Sequence, residues 1–204
     1  MSYKLSARLA VATTAILLSA CAARQIDTQT FVDVPVEVPR LLVVYQPPLQ
    51  GAEGSGPEGS SAAQRERLSD ALGESLEQRV PAGLTEAGVN ALFVRATNVT
   101  TVLNSRTARS AVSHVLYLRI QDDRQECASA GACSYRVTLR ATLLRSGAAP
   151  TLWRTDLQEA YFAPSRIDAA RFDDLSLHLI KAVAPLVKTP APRETTSENG
   201  DESR

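Results

Sequence analysis

Residues 134–145 read SYRVTLRATLLR, and their near-strict alternation is the tightest constraint in the chain. A strand points successive side chains to opposite faces, so Tyr135, Val137, Leu139, Ala141 and Leu143 share one side while Arg136, Thr138, Arg140 and Thr142 share the other. A segment of this kind belongs in a sheet with one face against a core and the other in water. Its neighbours are visible too. Residues 114–121 and 151–161 read as strands, and Ser146-Gly147-Ala148-Ala149-Pro150 supplies the turn of a hairpin. Residues 41–45 (LLVVY) form a short apolar run stopped by Pro47 and Pro48, and 91–96 (ALFVRA) resemble it; both are expected to be strands. Covering helices are expected where the period changes. Over 62–87, Leu68, Leu72, Leu76, Val80 and Leu84 make a stripe, with Pro81 expected to kink or end the helix near Arg79 and Gly88 placed as terminator. A short helix fits within 97–109. Over 168–187, Phe172, Leu175, Leu179, Ala182, Val183 and Leu186 line one face up to a break near Pro185. This order predicts an α/β fold of the α+β type: a two-layer sandwich of a mixed, mostly antiparallel sheet with helices packed on one face.

The N-terminus has a different character. Residues 1–8 carry Lys4 and Arg8, and 9–18 (LAVATTAILL) are uncharged and apolar but too short to span a bilayer, which is the pattern of a secretory leader. The run ends in Leu18-Ser19-Ala20-Cys21, which resembles the lipobox of bacterial lipoproteins: a branched apolar residue, two small residues and a cysteine. The resemblance covers about the first tenth of the chain. It implies cleavage before Cys21 and lipid on that cysteine, with several acyl chains holding the protein on a membrane that it does not span. The next residue is Ala22 and not the Asp that often retains such proteins at the inner membrane, so the resemblance implies the outer membrane, facing the periplasm.

Four regions follow: a signal peptide at 1–20, a lipid-anchored extended tether at 21–40, a single α/β domain at 41–188 with a mobile loop at 46–61, and a disordered tail at 189–204. The tether reading rests on Pro35 and Pro39 and on few helix formers, although Val32, Val34, Val36 and Val38 would also suit an edge strand. The precursor balances 22 Lys and Arg against 22 Asp and Glu; loss of Lys4 and Arg8 with the leader leaves a slight acidic surplus. Nucleic-acid binding rests on a basic surplus and is not expected.

Several motifs have the look of sites. Gly54-Ser55-Gly56-Pro57-Glu58-Gly59 matches G-x-G-x-x-G, but eight residues separate it from Tyr45, Pro57 removes an amide, and Glu53 and Glu58 would repel a phosphate. No cofactor is expected, and no metal. Cys127 and Cys133 flank a small-residue loop in an oxidising compartment and are expected to form a disulfide; a redox pair or zinc ligands joined by His114 or His178 are the alternatives. A Ser, His and acid set can be drawn around His114 after Ser113, or His178 near Asp173, Asp174 and Ser176, but no nucleophile turn accompanies either. Asp122 with Asp123, and Asp173 with Asp174, read as solvated pairs. On the polar sheet face, Tyr117, Arg119, Arg136, Arg140 and Arg154, with Asp156 as a local partner, are the candidate docking surface for an envelope protein or an acidic headgroup. The domain's layout resembles the small α/β accessory lipoproteins of envelope assembly and ABC-type transport systems. The expected role is therefore a non-enzymatic scaffold at the membrane, the alternatives being a small envelope hydrolase or a carrier of a lipid or other small ligand.

Overall fold

The computed structural model describes residues 24–33, 35–48, 62–104, 112–127, 133–145, 151–162 and 167–190. The leader, the lipobox with Cys21, and the stretches 49–61 and 191–204 lie outside them. In chain order the elements are β1 (Arg24–Thr30), β2 (Val36–Glu37), β3 (Leu41–Gln46), α1 (Ala62–Glu86), β4 (Ala91–Arg95), α2 (Val99–Asn104), β5 (His114–Cys127), β6 (Cys133–Arg145) and β7 (Thr151–Phe162). A 3-10 turn (Ala169–Phe172), α3 (Asp173–Val183), a second 3-10 turn (Ala184–Leu186) and β8 (Val187–Lys188) follow. Six strands make one mixed sheet in the order β1-β7-β6-β5-β3-β4. β3 runs parallel to both β4 and β5, and β5, β6, β7 and β1 are successively antiparallel. The α/β class expected from sequence is what the chain adopts.

Two parts of the segment read as tether belong to the fold. Arg24–Thr30 pairs with β7 as an edge strand, and Val36–Glu37 pairs in parallel with Val187–Lys188. The sequence hid β1 because, apart from Ile26 at its bulge, it is polar and it is exposed throughout, so no apolar alternation marks it.

β3 is buried on both faces and is apolar for that reason. Leu41, Val43 and Tyr45 enter the large core beneath α1 and α3, whereas Leu42 and Val44 join a smaller cluster with Val112, Val115 and the partly buried Val94, Leu144 and Val102. Val102 comes from α2, so this short helix covers the face opposite the two long helices. The expectation that all helices share one face is corrected at this corner. The alternation of β6 holds: Tyr135, Val137, Leu139, Ala141 and Leu143 are all buried.

α1 does not stop at Arg79. It continues through Pro81 to Glu86, because Val80 and Leu84 on either side are both fully buried and the core holds the turn that the proline weakens. The end is set by Gly88 at φ 81°. Val89 N–H donates to Leu84 O at 2.8 Å and Gly88 N–H to Thr85 O at 2.9 Å, the paired bonds of a Schellman cap, with Val89 and Leu84 both in the core. The last helix is interrupted at both ends instead of running unbroken. Asp168 caps the first 3-10 turn by accepting from Arg171 N–H at 3.0 Å, and Pro185 lies in the second.

Small residues let the layers approach. Ser75 and Ser176 hydroxyls meet at 2.9 Å where α1 crosses α3, and Ser75 also donates to Asp173 Oδ1 at 3.1 Å. At Gly73 an added Cβ would lie 2.9 Å from Tyr45 Cε1, and the Tyr45 hydroxyl reaches past it to Ser69 Oγ at 2.9 Å. Burial pushes the Tyr45 phenol up to about 12, against the Ser69 hydrogen bond and the Arg95 charge, which pull it down. A valine at position 73 would displace a ring with nowhere to go. Gly73→Val should therefore lose about 2 kcal/mol, the usual cost of overpacking, read as a lower denaturant midpoint at unchanged slope.

Candidate functional site

The exposed face of the sheet is a grid whose rows follow from the register. One row runs Gln46, Arg119, Arg140, Asp156, Asp27 across β3, β5, β6, β7 and β1. The next runs Tyr117, Thr142, Arg154, Gln29, and a third Asp122, Thr138, Gln158, Arg24. Arg124 and Arg136 form a fourth. Tyr117, Arg119, Arg136, Arg140 and Arg154 thus share one face.

They are not equally available. Arg140 is held by Asp156 in a two-pronged ion pair, Nε to Oδ1 and Nη2 to Oδ2, each at 2.7 Å. The hydrogen bonds to Asp156, with Asp27 adding its charge, hold this guanidinium above its ordinary pKa. Arg154 donates to Gln29, and the Tyr117 hydroxyl to Gln46 Oε1. Arg119 is exposed and donates to Gln121 Oε1, two residues away, at 3.2 Å. Arg124, exposed beside Asp122, was absent from the sequence-based set. Also absent were Arg24, Asp27 and Gln29, since the strand that carries them was read as tether.

Arg140 and Arg154 therefore knit strands together, while Arg119 presents charge to solvent. The side chains of the Arg140–Asp156 pair are only 23% and 11% exposed, so removing one partner strands a desolvated charge. Asp156→Ala should cost about 3 kcal/mol in chemical unfolding, whereas Arg119→Ala should stay within about 0.5 kcal/mol of the parent.

The two histidines sit on different elements. His114 opens β5, buried, with Nδ1 3.0 Å from Ser113 Oγ and Nε2 without a hydrogen-bond partner. Burial, with Arg145 adding to it, lowers its pKa and favours the neutral ring. His178 lies on α3 with Nδ1 2.8 Å from Asp174 O. Neither of these two contacts is with a carboxylate. Among the described residues, no cluster of three or more His, Cys, Asp or Glu has the geometry to hold a metal ion.

One buried acid escaped the sequence reading. Glu159 on β7 faces the core at 1% side-chain exposure, 2.6 Å from Arg171 Nη2, with its second oxygen lacking a hydrogen-bond partner. Burial pushes its carboxyl up to about 7; Arg171 pulls it down, and Asp174 on α3 pushes it further up. A carboxyl raised on folding favours the native state fully below its unfolded pKa, and that contribution is lost as pH rises through about 7. Glu159→Gln should thus gain stability relative to the parent at pH 8 and show little difference at pH 4. The stability difference between the two chains, followed by thermal unfolding across that range, checks the sign.

Cys127 and Cys133 stand directly opposite one another at the end of the β5–β6 ladder. Elsewhere, an open cleft of about 350 Å³ lies at the C-terminal ends of β3 and β4, lined by Pro47, Arg95, Thr97, Asn98, Thr101 and Val102 among others. It is separate from the sheet–helix interface, where Leu72, Leu76, Leu139, Leu157 and Phe172 are fully buried.

No protein-family model matches the chain, and no curated protein matches it. Among solved structures it is similar to the PelC dodecamer from Paraburkholderia phytofirmans, at 14% identity and TM-score 0.39, covering 83% of this chain and 98% of that one. It is similar also to lipoprotein GNA1162 from Neisseria meningitidis (17% identity, TM-score 0.39, 70% of this chain and 94% of that one). A third is the hypothetical protein CT253 from Chlamydia trachomatis (11% identity, TM-score 0.37, 72% and 95%). None of these likenesses is close enough to carry a functional property across.

Proposed function

We propose that the chain is a non-enzymatic accessory lipoprotein, anchored through Cys21 to the periplasmic face of the outer membrane and acting as a scaffold for an envelope partner. The observation that carries this reading is the leader: two basic residues, a short apolar run and Leu18-Ser19-Ala20-Cys21, in that order. Ala22 after the cysteine favours the outer membrane.

The geometry supports a binding role over hydrolysis. A catalytic histidine needs an acid that orients the ring and stabilises its cation. His114 instead has Ser113 on one nitrogen, no partner on the other and Arg145 nearby, which disfavours the cation. A carrier would need room between sheet and helices, where the described side chains are closely packed. Arg119, exposed on the polar face, is the group on which we place partner contact, with Arg136 on the same face further along the adjacent strand.

The disulfide belongs to the same proposal. Cross-strand placement of Cys127 and Cys133 in an oxidising compartment supports it.

Peptide mass spectrometry of the envelope fraction tests the anchor and the bridge together. The expected mature N-terminus is an acylated Cys21, lost in Cys21→Ala, with Cys127 and Cys133 protected from alkylation until reduction. An unmodified N-terminus elsewhere would overturn the lipoprotein reading. For the scaffold, in-cell crosslinking should capture one envelope protein from the parent and from a His114→Ala, His178→Ala chain, and lose it in a folded Arg119→Glu, Arg136→Glu chain. Equal capture by all three would remove the face from the proposal.

A further inference from the structure

The geometry points to the outer edge of β1 as a membrane-contacting rim, so that the domain lies edge-on against the bilayer that holds its lipid. This rests on the lipoprotein reading and adds to it an orientation and a second contact.

The argument starts from length. Arg24, the first residue of β1, follows Cys21 by three positions, and three residues of extended chain reach about 11 Å at most. A sheet edge tethered so closely to a lipidated cysteine stays beside the headgroups. β1 is also the outermost strand, paired with β7 on one side and with no strand beyond it on the other among the described residues.

Orientation follows from the register. Arg24 is level with Gln158, Thr138 and Asp122, and β6 continues from Thr138 back to Cys133, five residues or about 17 Å beyond Arg24 in the direction of the anchor. Were the sheet to stand on its strand ends, the end of the β5–β6 hairpin would pass the lipid attachment. It would carry Arg124, two residues or about 7 Å beyond the level of Arg24 and 60% exposed, towards the hydrocarbon, where charge is strongly disfavoured. Laying the β1 edge along the surface avoids this.

That edge has the chemistry for the contact. Five large apolar side chains are exposed among the described residues, and three of them, Ile26, Phe31 and Val32, lie within eleven positions of Cys21. Ile26 sits at the β1 bulge between Gln25 and Asp27, and Phe31 continues the pairing by donating to Leu152 O at 3.0 Å. A bulged edge with apolar side chains at both ends is poorly suited to continuous pairing with another strand and well suited to shallow insertion among headgroups.

The test uses the full acylated chain in vesicles of phosphatidylethanolamine and phosphatidylglycerol, doped with phosphatidylcholine brominated high on its acyl chains. Phe31→Trp places a reporter on the rim. Leu92→Trp places one at an exposed position on β4, the opposite edge of the sheet and about 24 Å away across five strand spacings. The native Trp153, which is buried, gives the common background. Added emission from Phe31→Trp should fall at least twofold on bromination, with Leu92→Trp unchanged. Equal emission from both in chains that float with the vesicles and carry lipid on Cys21 would overturn the edge-on contact while leaving the anchor in place. Zero-length crosslinking of two copies through the β1 edge without quenching would assign that edge to a second copy and overturn it equally. A chain that neither floats nor carries lipid on Cys21 would remove the lipoprotein reading, and this inference with it.

Discussion

Burial of one face of the β5–β6–β7 meander beneath α1 and α3 is the constraint on which the other features rest. The alternation along β6 places Val137, Leu139, Ala141 and Leu143 towards the helices, and each is fully buried. Helices can approach closely only where side chains are small. Ser75 meeting Ser176, Gly83 against Ile180 and Gly73 over Tyr45 are therefore consequences of that burial. The same packing carries α1 through Pro81, because Val80 and Leu84 are fixed on either side of it.

Covering one face leaves the other to solve its own electrostatics. Long side chains standing side by side on a sheet find partners across strands, and the register supplies them: Asp156 for Arg140, Gln29 for Arg154, Gln158 for Arg24. Cross-strand satisfaction converts most of what looks like a cationic surface into internal adhesive. This is why an arginine count from sequence overstates the charge available to a partner, and why exposed Arg119 differs in role from Arg140 one strand away.

The sequence was legible wherever burial imposes a period. β6, the stripe of α1 with its glycine stop, the apolar β3 and the buried face of α3 could all be read because water excludes one side of each. It was opaque where no period is imposed. β1 is exposed on both faces and has no apolar alternation to reveal it. Pro81 obeyed packing over local propensity. Glu159 was invisible for another reason: a single acid at an inward position of β7 looks like any surface glutamate until Arg171 and the helix above it are placed. Of the candidate face, the shared orientation of the five residues could be read from parity, but their partners on β1 could not.

The edge strand joins these strands of argument. An exposed sheet edge bearing Ile26, Phe31 and Val32 is ordinarily a liability, since unpaired backbone and apolar side chains together invite association between chains. Evolutionary remedies are charge, bulges or a cover. β1 has a bulge, and Arg24 and Asp27 face the polar side of the sheet, but among the described residues nothing fully covers its apolar side chains. In the proposed lipoprotein, a lipid on Cys21, three residues before the strand, would change the balance by keeping that edge at a bilayer surface where apolar side chains are stabilised. On that proposal the same short connection would set the polar grid of β5, β6 and β7 apart from the anchored edge, with Arg119 placed to meet a partner in the aqueous space beside the bilayer.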